Sequence, residues 1–219
     1  MAGKKIIGRM NIVQFAGLLL LLVVLPLGSW YYLQTGLDYR IQAFKELQDV
    51  APVPTFQLQN YNDSTVQMER FEDQLLVGHF MNESVQDVYL ETLAKLHDQF
   101  DEREDIYFLA FQADTTAAAR ASTAALLSKK GLKDTAQVFV LSGTEDELSA
   151  LAGQMKLPLE EQGMNPERNS LLFFADSAMV RGFYDMRQEA ELKRLLKHLT
   201  LNLHPTEEAD IIYDPETEK

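Results

Sequence analysis

His79 and Met81 stand two residues apart in the stretch HFMNESVQDVYLETLAKL (79–96), where an apolar strand runs through a short turn into an amphipathic helix. Strand spacing points both side chains to one face. An imidazole and a thioether together suit a soft ion such as Cu(I). No third donor is in view, because His97, His198 and His204 form no His-x-x-x-His pair with one another or with His79. A packed histidine beside a core methionine is the simpler reading. Glu83 and Asp87 have the residue types of an acid/base pair, but carboxylates at a helix start are accounted for by free N–H groups and the helix dipole. Tyr89 has a phenol for hydrogen bonding or redox work, and its helical spacing from Val85 assigns it to packing. The chain contains no cysteine, which excludes a disulfide framework, a thiolate nucleophile and a zinc–cysteine site. Nothing resembles a Ser–His–Asp set, a P-loop or a dinucleotide fingerprint. Asn62-Asp-Ser and Asn82-Glu-Ser are glycosylation sequons that matter only in a eukaryotic source.

The elements that would position these residues follow from periodicity. FQLQN (56–60) and TVQM (65–68) alternate apolar and polar around a turn, as a hairpin does. QLLVGHFM (74–81), IYFLAFQA (106–113) and AQVFVLS (136–142) are near-continuous apolar runs, expected of strands covered on both faces. A helix is expected after the first of these, opening at Ser84 and Asp87, with Val85, Val88, Leu93 and Leu96 along one side. An alanine-rich helix is expected from about Thr115 to Lys130, stopped by Gly131. Thr144 and Glu147 form a capping box at the next helix start. SLLFFAD (170–176) and MVRGFYD (179–185) form a second hairpin, and a last helix spans roughly Gln188–Leu201. This order predicts an α/β fold: a thioredoxin-like mixed sheet flanked by helices, with an N-terminal hairpin extension.

The segment before the domain has different physics. Met10 to Leu37 are 28 consecutive uncharged residues, longer than the roughly 20 a helix needs to cross hydrocarbon. Trp30, Tyr31 and Tyr32 close its far end like an interfacial belt, and Lys4, Lys5 and Arg9 precede it, which predicts a cytoplasmic N-terminus. A cleaved signal peptide is the rival reading, but PLGSWYYLQTG offers no small-x-small site. The expected division is a cytoplasmic terminus (1–11), a transmembrane anchor (12–33) in contact with lipid, a juxtamembrane helix and linker (34–53), a thioredoxin-like domain (54–203) and an acidic, flexible tail (204–219). From Asp38 onward the chain carries 17 basic and 33 acidic residues, so phosphates would be repelled and nucleic acid is not an expected partner.

PTFQLQNYNDSTVQM, the strand–turn–helix of 74–96, FQADTTAA (111–118) and the order of later elements together resemble the SCO/SenC family over most of residues 54–200. These are membrane-tethered thioredoxin-fold proteins that serve copper delivery to cytochrome c oxidase. In that family the turn carries Cys-Pro-x-x-Cys-Pro. Laid on it without a gap, VQDVYL (85–90) puts Val85 and Tyr89 at the two cysteine positions, with Gln86 and Leu90 replacing the prolines. The family's ligand histidine falls near Glu167 or Arg168 in NPERNSLLFFADS. The resemblance thus implies a degenerate member from which all three copper ligands are missing, with no cofactor, no redox activity and no catalytic residues.

The expected function is a non-catalytic, membrane-anchored binding or assembly factor on the extracytoplasmic side, periplasmic in a bacterium. The resemblance implies a link to cytochrome c oxidase biogenesis, with oxidase subunits or copper-handling proteins as partners. The expected contact surface is the rim formed by Asn82, Glu83, Ser84, Gln86 and Asp87, by Asp114 and Thr115 as far as Thr116, and by the segment 163–169. Two alternatives stand beside it: a structural accessory subunit of a membrane (respiratory) complex, and an atypical copper-binding protein using His79 and Met81.

Overall fold

A computed structural model describes residues 17–81, 86–132, 136–158 and 170–203. The chain divides into two units between Glu46 and Leu47.

The first unit is helical. Residues from Gly17 continue through a π-helical stretch, Leu20–Val24, into α1 (Leu25–Glu46). The Leu25 N–H donates to the Leu20 carbonyl five residues back. This wider turn sits just ahead of Pro26, whose ring opposes a regular turn at residue 22. Gly17–Glu46 is long and apolar enough to cross a membrane, with a mean hydropathy of 1.6 over its most apolar 18 residues. Leu18 through Leu27 present their apolar side chains outward, as do Trp30, Tyr31 and Tyr32. The sequence reading expected a separate juxtamembrane helix within 34–53. The structure instead runs one helix through to Glu46, because Asp38–Glu46 contains no proline or glycine to stop it.

The second unit is an eight-stranded sheet in the order β1-β8-β7-β4-β5-β6-β2-β3. The strands are β1 (Ala51–Pro52), β2 (Gln57–Asn60), β3 (Thr65–Gln67), β4 (Leu75–Met81), β5 (Ile106–Gln112), β6 (Val138–Ser142), β7 (Leu171–Asp176) and β8 (Met179–Asp185). Central strands β4, β5 and β6 are parallel, β7 and β8 form the expected antiparallel hairpin beside β4, and β2–β3 hangs antiparallel on β6. A carbonyl of the Asn60 side chain accepts the Val140 N–H at 3.0 Å, fastening that hairpin to the sheet. The sequence reading missed β1 and the 3-10 turn Met68–Phe71; two residues carry no period to detect.

Helices α2 (Gln86–Phe100), α3 (Ala117–Lys129), α4 (Glu145–Gln154) and α5 (Glu189–Asn202) cover the sheet. Strand alternation sorts the core into two layers. Leu75, Val77, Phe108, Val140 and Phe174 pack with Leu93 and Leu96 of α2, Leu127 of α3 and Leu195 and Leu199 of α5. Leu76, Leu109, Phe111, Leu141 and Phe173 pack on the other side with the β2–β3 hairpin and with Leu148 and Leu151 of α4. Gly78 makes this second layer possible, since a Cβ there would lie 2.1 Å from Cζ of Phe173 on the neighbouring strand.

The α4 cap is as the spacing predicts, while the start expected at Ser84 lies outside the described residues. Thr144 and Glu147 make a reciprocal capping box on α4, and the Thr116 hydroxyl accepts the Ala119 N–H at the start of α3. Gly131 follows α3 with φ of 74°, a conformation glycine adopts without cost. The stripe on α2 is shifted from expectation. Val88 is exposed, and the buried line is Tyr89, Leu90, Leu93, Leu96 and Phe100.

Candidate functional site

Parallel strands leave their C-terminal ends as the natural place for a site, where following loops converge. β4 ends at Met81 and β5 at Gln112, which are register partners. A cleft of about 550 Å³ opens there, walled by Gln86 at the start of α2, by Thr123 and Leu126 of α3, and by Glu145 at the start of α4.

Gln112 is fixed in this cleft. Its side-chain carbonyl accepts the Thr123 hydroxyl at 2.7 Å, which leaves its NH₂ end as the free donor. Asp114 accepts the Thr116 N–H at 2.8 Å. That backbone bond, helped by the Thr116 side chain and Arg120 against a small desolvation effect, holds its carboxyl below the usual carboxylate range. Arg120 itself is turned to Asp63, at 2.8 Å, and to the Thr115 carbonyl, at 2.6 Å.

His79 and Met81 do share a face of β4, but not an open one. Met81 is half-buried against the α2 layer. His79 is fully buried; its Nδ1 donates to the Leu171 carbonyl at 3.0 Å, and its Nε2 has no hydrogen-bond partner among the described residues. Burial lowers its pKa to about 4, with the Leu171 bond opposing the shift, so the ring is neutral at pH 7. Tyr89 lies against it, ring centroids 4.7 Å apart and planes at 31°. The Tyr89 hydroxyl reaches the Leu109 carbonyl at 3.5 Å, and burial pushes its pKa up. Tyr89 therefore fills the core beneath the cleft. His97 is half-buried on α2, and His198 is buried with Nδ1 2.6 Å from the Tyr184 hydroxyl.

Among the residues that sequence reasoning singled out, the cleft brings together Met81, Gln86 and Asp114. Asp87 and Thr115 are exposed nearby in sequence but do not line it. Asn82, Glu83, Ser84, Val85, Glu167, Arg168, His204 and the segment 163–169 lie outside the described residues. Gln112, Thr123 and Glu145 were missed. Gln112 had a signal, a polar residue ending a buried strand, whereas Thr123 and Glu145 become neighbours only through the fold.

These features define a class: a thioredoxin-like sheet whose loop-bearing end is a polar cleft with no thiol. No protein-family model and no curated protein matches the sequence. Solved structures do match. A SCO1/SenC family lipoprotein from Bacillus anthracis aligns with a TM-score of 0.53 at 17% identity, covering 70% of this chain and 95% of its own. BsSco, a member of the Sco family of cytochrome c oxidase assembly proteins, aligns at 0.55 and 13%, covering 72% and 99%. A thiol-disulfide oxidoreductase from Bacteroides fragilis aligns at 0.50 and 17%, covering 68% and 98%. The resemblance read from the sequence is thus matched by SCO/SenC structures that share this fold, and the lack of cysteine fits a degenerate member.

Copper, the ion that the family resembled in sequence delivers, does not fit the described residues. No group of three or more His, Asp or Glu among them could hold a metal ion. His79, the soft-metal candidate, is buried beneath Tyr89 with one nitrogen committed to backbone.

Proposed function

We propose that this chain is a membrane-anchored, non-catalytic thioredoxin-fold module that binds a protein partner through the cleft end of its sheet. The observation that carries the reading is the pairing of a complete fold and open cleft with a sequence that has no cysteine. Thiol–disulfide exchange requires a thiolate, so this end of the molecule is left with recognition by shape, amides and carboxylates. Gln86 and Asp114 are the described members of that surface, and Asn82, Glu83, Ser84, Asp87 and Thr115 extend it in sequence.

The anchor is residues 12–33, in lipid, with the N-terminus cytoplasmic and the domain extracytoplasmic. Support comes from the apolar helix, the basic residues before it, the aromatic belt after it, and the fact that one solved likeness is itself a lipoprotein. Cytochrome c oxidase assembly is the biological setting, with oxidase subunits or copper-handling proteins as partners, because BsSco belongs to a family of such assembly proteins.

The test is gentle detergent extraction of the tagged full chain from its native membrane, with co-purifying proteins identified by mass spectrometry. Oxidase subunits or copper-handling proteins are expected. Replacing Ile12–Leu33 by an unrelated span should leave the association intact. Loss of the partner in that swap would overturn domain-driven binding and favour an accessory subunit docked through its anchor.

A further inference from the structure

The cleft has a chemical character that narrows its partner. Gln86, Gln112 and Thr123 are neutral, Asp114 and Glu145 are anionic, and no lysine or arginine is among the described residues that line it. Its apolar lining includes Met81 from β4 and Leu126 from α3. The two carboxylates come from separate elements, the β5–α3 loop and the first turn of α4, and both side chains are exposed. Arg120, the cation nearest Asp114, is held by Asp63 and the Thr115 carbonyl. The chain beyond the anchor carries a net charge of −16, so the field around the cleft favours an approaching cation. A volume of about 550 Å³ is within the range of sites that enclose a ligand group of drug size.

We propose that the cleft receives a lysine or arginine side chain from an extended segment of the partner protein. The aliphatic stem lies on Met81 and Leu126, the cationic head is placed between Asp114 and Glu145, and the Gln112 NH₂ end donates to a backbone carbonyl of the segment. Long basic side chains combine these two surfaces, because the stem buries on apolar atoms while the charge stays at a polar rim. Asp114 is suited to this work, since the Thr116 N–H keeps it ionised and fixes its orientation. This assignment rests on the binding-module reading above and names the chemistry of its partner.

The test uses the full chain in neutral detergent and two fluorescein-labelled peptides, Gly-Leu-Arg-Leu-Gly and Gly-Leu-Glu-Leu-Gly, read by fluorescence polarisation. Saturable binding of the arginine peptide is expected, at least tenfold tighter than that of the glutamate peptide. Asp114→Asn combined with Glu145→Gln should weaken it at least fivefold, as should raising the salt from 0.05 to 0.5 M. Both substitutions are at exposed positions, and an unchanged circular dichroism spectrum verifies the fold. Absence of saturable arginine-peptide binding, equal binding of the two peptides, or an unaffected double variant overturns the proposal. A parallel pull-down with Gln86→Trp, which fills the cleft, separates the two readings. Partner capture lost in Gln86→Trp but kept in the double variant overturns the cationic segment and leaves the binding module standing. Capture kept in both variants overturns the cleft as the binding surface.

Discussion

His79 gives the sharpest prediction about this molecule. It is fully buried and neutral, with a pKa of about 4 where an exposed histidine has 6.5. The unfolded chain therefore binds a proton between those values that the folded chain does not. Stability is full above pH 6.5 and falls as the pH drops toward 4. Between pH 7 and pH 5 the loss from this one group is about 2 kcal/mol, on a scale where each pK unit is worth about 1.36 kcal/mol. With a urea slope of about 1–3 kcal/mol per molar, the unfolding midpoint should move by roughly 1 M. His79→Leu removes the titrating group. It costs stability at neutral pH, about 1–3 kcal/mol, through the lost Leu171 bond, but its midpoint should be flatter between pH 7 and pH 5. Urea unfolding followed by far-ultraviolet circular dichroism at pH 7, 6 and 5 measures both. The carboxylates that the fold holds low are common to both proteins and cancel from the comparison; Asp185, at about 2, acts chiefly below its ordinary 3.8. A His79→Leu protein with the same pH dependence as the wild type would refute the argument.

Asp185 supplies the complementary window. Desolvation raises its pKa, but hydrogen bonds from the Ser170 hydroxyl, the Arg187 N–H, and the Gln188 and Arg187 side chains together outweigh it. Its contribution is present above pH 3.8 and lost toward pH 2, so Asp185→Asn should be less stable than wild type at pH 5 and indistinguishable near pH 2, by the same unfolding assay. Gly78→Ala forces a methyl into the Phe173 ring and should cost about 1–3 kcal/mol or more, read as a lowered thermal midpoint. Thr144→Ala removes the capping box of α4 and should cost about 0.5–2 kcal/mol, with Thr144→Ser restoring most of it. Tyr184→Phe leaves buried His198 without its hydroxyl partner and should cost about 1–3 kcal/mol in urea unfolding.

Much of the fold is legible because its strands and caps are local signals. The apolar runs that become β4, β5 and β6 are pure enough to read as covered on both faces, and both capping residues stand at the spacing their hydrogen bonds require. The burial of α2 was read correctly at Leu93 and Leu96 but not at Val88. Val85, Val88, Leu93 and Leu96 form a reasonable stripe by type, but Tyr89 and Leu90 carry more apolar surface and take the core side. The site was legible only in part. Gln86 and Asp114 could be placed at the sheet end by topology, whereas Gln112 meets Thr123, and both face Glu145, through contacts between distant segments. The role of His79 was hidden for a different reason. Its residue type advertises chemistry, and only the packing of Tyr89 and the Leu171 carbonyl reveals it as a neutral core group.

The His79–Tyr89 pair also bears on whether this fold could accept redox chemistry. Tyr89, which the sequence resemblance sets at a cysteine position, faces inward against β4 and does not line the cleft. A cysteine placed there would sit in apolar surroundings, which raise a thiol's pKa and starve it of thiolate. Cysteines substituted at Val85 and Tyr89 would restore the thiols of the motif but leave the second sulfur inert. A working pair would require α2 to turn about its own axis, dragging Leu90, Leu93 and Leu96 out of register with the sheet. At position 89 such a change costs core packing before it yields any activity, so the thiol chemistry would have to be gained against the fold.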